Sequence, residues 1–312
     1  MNTIIGVEGL VRAFPDGCAV TLGVFDGVHR GHHALLQATT AWARAQGVPA
    51  VALSFHPHPA AVLAPDRIPP MLCTLAHRVE RLHAMGADCV IIQPFTREFA
   101  QLSAEAFTER VLVRALNARA VVVGDDFRFG RGRTGDVDYL RRAGAFEVIT
   151  VGGVLDDTGA RISSTRIREL IQAGQLEQAN ALLGEPLQWT GVATRGDQRG
   201  RTFGYPTANL NPLEPLITPL EGVYACRAWL TRDGSDGAQT PHAHAAAVSV
   251  GKPPMFEHAR GRLEAYLIDL PDQNLYGRMM TLQFLKRLRP QQRFESVEAL
   301  LAQMAHDVEQ AR

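Results

Sequence analysis

The 312-residue sequence has no excess of charge of either sign and contains little cysteine. Lysine and arginine together number 32, as do aspartate and glutamate, so no whole-chain positive field favours nucleic acid or an anionic membrane as a partner. The four cysteines are far apart and none stands in Cys-x-x-Cys spacing, which favours buried free thiols over disulfides or metal sites. We therefore expect small molecules as partners. Any anion must be bound by groups close to it, because the chain as a whole carries no net charge.

The sequence also lacks a run approaching the ~20 apolar residues that a membrane-spanning helix needs. The amino-terminal stretch MNTIIGVEGLVRAFPDG has no basic region followed by an apolar core, so we expect a cytoplasmic protein without a membrane anchor. What is present is ordinary: 46% hydrophobic and 21% charged residues indicate a soluble chain long enough for two domains. We expect a monomer or a weak homo-oligomer.

The first part of the chain alternates strand-like and helix-like segments. The strand-like runs are CAVTLGVF, VPAVALSF, CVIIQPF, AVVVG and FEVITVG, and the helical patterns include ALLQATTAWARAQG, LAHRVERLHAMG and SAEAFTERVLVRALN. This alternation predicts an α/β fold, a doubly wound, Rossmann-like parallel sheet with its ligand site beyond the carboxyl ends of the strands. The helical stretch STRIRELIQAGQLEQANALLG ends at Gly184 and is expected to close this domain, residues 1–185.

After Pro186 the pattern changes to short strand-like segments separated by turn residues. These segments are LQWTGVATRG, GVYACRAWL, HAAAVSVG, RLEAYLIDL and RMMTLQFLKRLR. They predict a small antiparallel β-barrel over residues 186–312, followed by an amphipathic helix in SVEALLAQMAHDVEQA.

A glycine-bearing turn joins a predicted strand to a predicted helix in TLGVFDGVHRGHHALL, residues 21–36. Such a turn would put His29 and His32 at a helix amino terminus, which attracts phosphate. Three glycines would let the backbone approach a ligand closely, namely Gly23, Gly27 and Gly31. Taken alone, the pattern is equally compatible with a tight turn that carries two surface histidines.

Two further segments carry side chains suited to phosphate. SSTRIR, residues 163–168, combines three hydroxyls with two arginines at the predicted start of a helix. VVVGDDFRFGRGRTGD, residues 121–136, ends a strand and opens a basic loop. Each could be an ordinary helix cap or solvated loop, but three such segments at the ends of one sheet indicate a phosphate site.

GVFDGVHRGH, SFHPHP, GDDFRFGRGRTGD and ISSTRIREL, in this order, resemble the nucleotidyltransferase module of the bacterial bifunctional riboflavin kinase/FAD synthetases. The second half resembles the riboflavin kinase module of that family through GVATRGDQRGRTFGYPTANL, PLEGVYACRAWL and LEAYLIDLPDQNLYG. The resemblance covers almost the whole chain. It implies ATP, riboflavin, FMN and FAD as substrates or products and Mg²⁺ as the metal, and the flavin rests on the resemblance alone.

For the first module, the resemblance implies that His29 and His32 contact the ATP phosphates and the charge developing on phosphorus. It implies that Ser164, Thr165 and Arg166 hold the triphosphate from the other side. The turn contributes further residues to the same ATP site, namely Gly23, Phe25, Asp26, Gly27 and Gly31. Two residues would lie near the nucleotide or the flavin, Asp126 and Phe127.

For the second module, the resemblance implies that Thr207 and Asn209 of PTAN bind Mg²⁺ and that Glu264 is the base for the ribityl hydroxyl. Hard oxygen ligands suit this metal, and a primary alcohol needs a base. Part of the wall around the ATP phosphates is implied to be Gly196, Arg199, Gly200 and Arg201. By pattern alone, Glu264 would be a solvent-facing residue of a half-buried strand.

One loop departs from the family pattern. Where members typically carry Asn-x-Gly-x-Arg-Pro-Thr-Phe, this chain reads SVGKPPMF over residues 249–256, so Ser249 and Met255 replace an amide and a hydroxyl. Gly251 and Phe256 persist and are expected near the flavin or nucleotide. We therefore expect a kinase that is weak for ATP rather than inactive. Three functions stay open: a bifunctional enzyme, an adenylyltransferase with a weakened kinase-like module, and a flavin or nucleotide sensor without turnover.

Overall fold

A computed structural model describes residues 2–195, 204–231, 243–251, 262–271 and 273–312. The chain forms two compact units. The first comprises Met1–Pro69 and Leu75–Ser163, and the second comprises Pro70–Thr74 and Ser164–Arg312. The domain boundary expected at residue 185 stays a prediction.

The first unit is built on a six-stranded sheet in which every pair of neighbours is parallel, in the order β1-β4-β3-β2-β5-β6. Its strands are β1 (Asn2–Ile5), β2 (Cys18–Leu22), β3 (Ala50–His56), β4 (Cys89–Pro94), β5 (Ala118–Gly124) and β6 (Glu147–Val151). The doubly wound parallel sheet expected from the sequence is confirmed. The edge strand β1 was not predicted, because its four residues show neither alternation nor a long apolar run.

Helices flank this sheet and connect its strands. They are α1 (Arg30–Gln46), α2 (Pro59–Leu63), α3 (Leu75–Ala84), α4 (Arg97–Ala100), α5 (Ala104–Phe107) and α6 (Val137–Ala143). A π-helical segment, Thr108–Ala115, continues α5. The strands β2 to β5 are almost wholly buried, as expected for a parallel sheet covered on both faces. Their carboxyl ends, where the predicted motifs lie, form the edge at which ligands bind in such folds.

The second unit contains a closed six-stranded barrel, in the order β10-β11-β8-β7-β12-β9, with antiparallel neighbours. Its strands are β7 (Leu187–Thr194), β8 (Ala208–Pro212), β9 (Gly222–Leu230), β10 (His244–Gly251), β11 (Arg262–Leu267) and β12 (Met279–Arg289). Burial alternates strictly along β7, so one face of the strand fills the barrel and the other lies outside. The expected antiparallel barrel is confirmed.

Among the described residues, this unit has three helices: α7 (Ser164–Gln172), α8 (Leu176–Leu183) and α9 (Val297–Ala311). α8 ends at Gly184, whose φ of 83° is the left-handed value typical after a helix, as expected from the sequence. The amphipathic tail forms α9, and its Asp307 makes a buried bidentate pair with Arg289 of β12 at 2.7–3.0 Å. No helix among the described residues is long and apolar enough to cross a membrane.

Candidate active sites

The turn between β2 and α1 is held in an unusual backbone conformation. Phe25 and Val28 have φ values of 53° and 38°, and Gly27 has 79°, so three residues of this turn lie in the left-handed region. Non-glycine residues in that region are strained, and such residues concentrate at functional sites. Phe25 is fully buried and Asp26 is 2% exposed, which fixes the turn in the protein interior.

The two predicted histidines meet at the start of α1. His29 is the residue that precedes the helix, with extended backbone angles and a side chain that does not cap it. The rings of His29 and His32 stack with centroids 3.7 Å apart and an interplanar angle of 17°. The edge of Phe25 closes the group, its ring centroid lying 5.2 Å from that of His32. Both histidines therefore lie side by side at the amino terminus of α1, and their contact with phosphate stays a prediction.

Burial favours the neutral form of His32. Burial first, and then the neighbouring His29, His33 and Arg78, hold the pKa of His32 well below its usual value of 6.5. The Nδ1 atom of His32 is buried and has no hydrogen-bond partner among the described residues. A neutral imidazole with a free nitrogen can donate or accept a hydrogen bond at a ligand without changing its charge.

Gly31 is required by the close approach of His29. A Cβ atom at position 31 would lie 3.1 Å from two atoms of the His29 ring and 3.6 Å from the carbonyl oxygen of Ile162. Contacts near 3.1 Å are tighter than almost all real Cβ contacts, so a larger residue would push the His29 ring away from its position. Gly23 has a similar relation to Phe25, whose ring would lie 3.2 Å from an added Cβ.

His33, the third histidine of the motif, was not predicted as a site residue and has a structural role. Its Nε2 atom donates a hydrogen bond of 2.8 Å to the carbonyl oxygen of Val28, which fixes the strained end of the turn. Burial is the main cause that lowers the pKa of His33, and Arg81 and Arg30 contribute in the same direction.

The predicted pair Asp126 and Phe127 follows β5 at the same edge of the sheet. Arg161 bridges the carboxylates of Asp125 and Asp126 at 3.1 and 2.9 Å, and all three side chains are exposed. Phe127 stacks on Phe129 at a centroid distance of 5.5 Å and an angle of 17°. The role of Asp126 and Phe127 near a nucleotide or flavin stays a prediction.

Phe127 ends a continuous group of aromatic rings whose neighbouring centroids lie between 5.4 and 6.1 Å apart. Its phenylalanines are Phe55, Phe95, Phe99, Phe107, Phe129 and Phe127, and the Tyr139 ring flanks Phe129 at 5.9 Å. Phe55 lies in β3 and Phe95 directly follows β4, so the group forms an apolar wall at the carboxyl edge of the sheet. Sequence reasoning missed this wall because its members are scattered over five segments.

Ser164, Thr165 and Arg166 form the first turn of α7. This helix belongs to the second compact unit, whereas the histidine pair belongs to the first. Within the second unit, Arg168 of the same motif donates a 2.8 Å hydrogen bond from Nε to the carbonyl oxygen of Pro70. The predicted contact of Ser164, Thr165 and Arg166 with the ATP phosphates stays a prediction.

Strand register assembles the candidate kinase site. Glu264 of β11 lies directly opposite Asn209 of β8 on one side and Ser249 of β10 on the other, and Asn209 lies opposite Thr194 of β7. Residues directly opposite in antiparallel strands share a face of the sheet. The residues on either side of Asn209, Ser249 and Glu264, among them Leu210 and Leu263, are buried inside the barrel. The four polar residues therefore form one row on the outer face of the barrel.

Asn209 is the buried member of this row. It is only 3% exposed, and its side-chain oxygen Oδ1 has no hydrogen-bond partner among the described residues. A buried amide oxygen without a partner is destabilising unless a ligand satisfies it. A hard cation such as Mg²⁺ is bound by oxygen atoms of this kind, so the residue fits the metal that the sequence predicts.

At Ser249, where the chain lacks the asparagine amide of the family pattern, the side-chain amide of Gln291 lies nearby. Gln291 donates hydrogen bonds from Nε2 to the Ser249 hydroxyl oxygen at 2.8 Å and to the Val250 carbonyl oxygen at 3.2 Å. An amide group therefore lies beside position 249, although the chain has no Asn there. This pairing could not be predicted from the sequence, because Gln291 lies in an irregular segment after β12.

Some of the remaining predicted site residues lie in the part of the chain that the structure describes, and others lie outside it. Gly251 ends β10 with a φ of 112°, and an added Cβ would lie 2.7 Å from the side chain of Glu221, so its backbone and its space both require glycine. Thr207 is half-buried just before β8. The other predicted residues lie outside the described part of the chain, namely Gly196, Arg199, Gly200, Arg201 and Phe256.

A magnesium ion at Asn209 would depend on ligands from its substrate. Among the described residues, no group of three His, Cys, Asp or Glu side chains is arranged to hold a metal. Mg²⁺ commonly takes only one or two protein ligands and completes its coordination with water and substrate phosphates. Thr207 and Asn209 fit that pattern.

Comparisons with known proteins identify both halves of the chain. A FAD synthetase family model matches residues 11–166, and a riboflavin kinase family model matches residues 183–312. A bifunctional riboflavin kinase/FMN adenylyltransferase from Escherichia coli is 38% identical over 100% of this chain and 97% of its own length. One from Listeria monocytogenes is 34% identical over 94% of this chain and 91% of its own length.

A solved structure extends the similarity to the fold. The crystal structure of a Streptococcus pneumoniae protein described as a macrolide-efflux protein has a TM-score of 0.86 and 32% sequence identity, and the match covers 100% of this chain and 99% of that one. The resemblance noted from the motifs is confirmed over both halves. The chain belongs to the family of bifunctional riboflavin kinase/FMN adenylyltransferases.

Proposed function

We propose that this chain carries out two successive reactions, phosphorylation of riboflavin by ATP to give FMN and ADP, and adenylylation of FMN by a second ATP to give FAD and pyrophosphate. The observation that carries the proposal is the register of the barrel, which sets the candidate base Glu264 directly opposite the candidate metal ligand Asn209. A module that had lost its chemistry would have no need to keep a buried amide oxygen without a partner beside a carboxylate.

In the kinase reaction, the terminal ribityl hydroxyl attacks the γ-phosphorus of ATP and loses its proton to the Glu264 carboxylate. General bases of this kind contribute roughly 10²–10⁴ in rate. Thr207 and Asn209 would hold Mg²⁺, which supplies charge neutralisation at the phosphates when it is bound. Gly196, Arg199, Gly200 and Arg201 are proposed to surround the ATP phosphates, and Gly251 and Phe256 to border the flavin or nucleotide.

In the adenylyltransferase reaction, a phosphate oxygen of FMN attacks the α-phosphorus of ATP, and the bond from that phosphorus to the bridging oxygen breaks. Pyrophosphate leaves with the bonding electrons. No covalent protein intermediate is needed, so the site acts by orientation and by stabilising charge. His29 and His32 are proposed to contact the phosphates, supported by Gly23, Phe25, Asp26, Gly27 and Gly31, with Ser164, Thr165 and Arg166 on the triphosphate.

We also propose the wider assignments that accompany these reactions. The adenylyltransferase domain would comprise residues 1–185 and the kinase domain residues 186–312. The partners would be small molecules and not nucleic acid or membrane, the chain would be a monomer or weak homo-oligomer, and its location would be cytoplasmic.

A second candidate is an adenylyltransferase whose kinase half is weak. It is favoured by one observation, the serine at position 249 next to Glu264 where relatives typically carry asparagine. The contact of Gln291 with Ser249 argues against a full loss of activity, because it returns an amide to that position.

One experiment separates these functions. The pure chain is incubated with riboflavin, ATP and Mg²⁺, and the flavins are separated by chromatography over time. FMN that appears first and then declines as FAD accumulates supports the bifunctional enzyme. FAD that forms only from supplied FMN supports the adenylyltransferase alone, and unchanged riboflavin and FMN would contradict both.

A further inference from the structure

Arg78 is a buried cation that the family motifs do not include. It lies in α3, and its side chain is 1% exposed. Its Nη1 atom donates hydrogen bonds to the carbonyl oxygen of Phe55 at 3.0 Å and to the hydroxyl of Ser54 at 3.4 Å. Ser54 in turn donates to the carbonyl oxygen of Val24 at 2.9 Å, so the arginine is tied to the turn that carries the histidines.

The partners of Arg78 do not neutralise its charge. Both acceptors are uncharged, and the Nε atom is buried without a hydrogen-bond partner among the described residues. A guanidinium stays protonated in proteins, and burying a charge without an opposite charge is strongly unfavourable. A methionine or leucine would fill the same space without that penalty. The position is therefore suited to an anion supplied by a ligand.

Arg78 lies close enough to the histidine pair to affect the pKa of His32. Burial is the largest cause that lowers the pKa of His32, and three ionisable neighbours act in the same direction, namely His29, His33 and Arg78. Of these three side chains, only Arg78 carries a charge that does not depend on pH near neutrality. Two buried nitrogens, Nε of Arg78 and Nδ1 of His32, have no partner in the described part of the first unit, so both remain available to a phosphate.

We propose that Arg78 binds phosphate oxygens of ATP and of the departing pyrophosphate, and supplies a permanent positive charge beside the histidine pair of the adenylyltransferase site. The proposal rests on the proposed FMN adenylyltransferase activity. When the bond from the α-phosphorus to the bridging oxygen breaks, the electron pair goes to pyrophosphate, and the charge that develops there is met by the guanidinium. His32 then contributes a hydrogen bond and no charge, which agrees with its depressed pKa.

The competing explanation is that Arg78 only ties the end of β3 to α3 through the Phe55 carbonyl. Two substitutions separate charge from hydrogen bonding. Arg78→Gln keeps an amide donor for that carbonyl and removes the charge, whereas Arg78→Lys keeps the charge. Arg44→Gln, an exposed arginine near the other end of α1, is the matched control.

Binding of inorganic pyrophosphate to the full chain is measured by calorimetry, with circular dichroism and thermal unfolding of the same preparations as the test of folding. Because a hydrogen bond to a charged group is lost, Arg78→Gln should weaken pyrophosphate binding about 10- to 100-fold, and Arg78→Lys and Arg44→Gln should weaken it much less. Wild-type affinity in Arg78→Gln would overturn the proposal, since the amide would then be sufficient.

If neither variant at position 78 folds, the wild-type chain still decides the matter. A permanent charge predicts that pyrophosphate binding persists from pH 6 to pH 9, a range across which an ordinary histidine loses its positive charge. Binding that disappears above pH 7 would mean that protonated histidines supply the charge, and the proposal would fail. FAD formation from FMN and ATP by the wild-type chain tests the adenylyltransferase activity separately. A chain that forms no FAD would contradict the proposed function, whereas a chain that forms FAD but binds pyrophosphate equally well in Arg78→Gln would contradict only the role of Arg78.

Discussion

Replacing Asn209 by valine should stabilise the protein and at the same time remove its kinase activity. The side-chain oxygen of Asn209 is buried without a partner among the described residues, and an unsatisfied buried acceptor destabilises the folded state by about 1–3 kcal/mol. Valine is close to asparagine in size and favours strands, so the substitution should remove most of this destabilisation and raise the free energy of unfolding. For a unit of this size, each kcal/mol raises Tm by about 2–4 °C.

Two measurements on the same preparations check this prediction. Thermal unfolding of the chain without substrates should show a higher Tm for Asn209→Val, and chromatography should show loss of FMN formation with unchanged conversion of supplied FMN to FAD. Asn211→Val is the matched control, because Asn211 lies two residues further along β8 and is exposed. It should change the free energy of unfolding by no more than about 0.5 kcal/mol.

Ligands should act differently on the wild-type chain and on Asn209→Val if Asn209 binds Mg²⁺. Mg²⁺ with ATP should raise the Tm of the wild-type chain by binding the folded state, and should raise that of Asn209→Val less. A valine variant that is less stable than the wild type would refute the assignment of an unsatisfied oxygen. A valine variant that phosphorylates riboflavin at the wild-type rate would refute the role of Asn209 in metal binding.

Three other variants test the remaining assignments. His32→Ala should slow FAD formation by about 10²–10³ while FMN formation continues, because the residue belongs to the first compact unit alone, and near-normal FAD synthesis would remove His32 from the mechanism. Since the folded-state pKa of His32 lies well below 6.5, the unfolded chain takes up the proton first, so the free energy of unfolding should fall as pH drops below about 6.5, and urea titrations should show a weaker fall in His32→Ala. Glu264→Gln should slow riboflavin phosphorylation by roughly 10²–10⁴ with FMN-to-FAD conversion intact, and surviving kinase activity would make Glu264 an ordinary strand residue. Ser249→Asn combined with Met255→Thr should raise kcat/KM for riboflavin phosphorylation at saturating Mg²⁺, whereas no improvement would mean that the natural replacements are neutral.

The histidine site could be predicted from sequence because its signal is local. A strand, a glycine-bearing turn and a helix start follow one another within residues 21–36, and the chemistry of a helix amino terminus needs nothing more distant. The stacking of His29 on His32 was not predictable, because it depends on the backbone angles of Phe25 and Val28. Those positive φ values are set by the packing of the turn and not by the local sequence.

Arg78 and Gln291 show what sequence reasoning cannot reach. Arg78 sits in LAHRVERLHAM, where it looks like one more polar residue of an amphipathic helix, and its burial follows from how α3 packs in the first unit. Gln291 lies in a segment without periodicity and meets Ser249 only after the barrel has closed. The pairing of Glu264 with Asn209 likewise depends on strand register, which neither the strand pattern nor the resemblance supplied.

The row of polar residues on the outer face of the barrel makes this half of the protein sensitive to insertions and deletions. Glu264 shares a face with Asn209 and Ser249 only because the three strands pair without a bulge at those residues. One residue added to β11 ahead of Glu264 would turn the carboxylate into the barrel and bring an apolar neighbour outward, with the composition of the chain almost unchanged. Single-residue length changes in β11 should therefore be tolerated far less than substitutions at its other outward positions, and alignments of relatives should be free of gaps there.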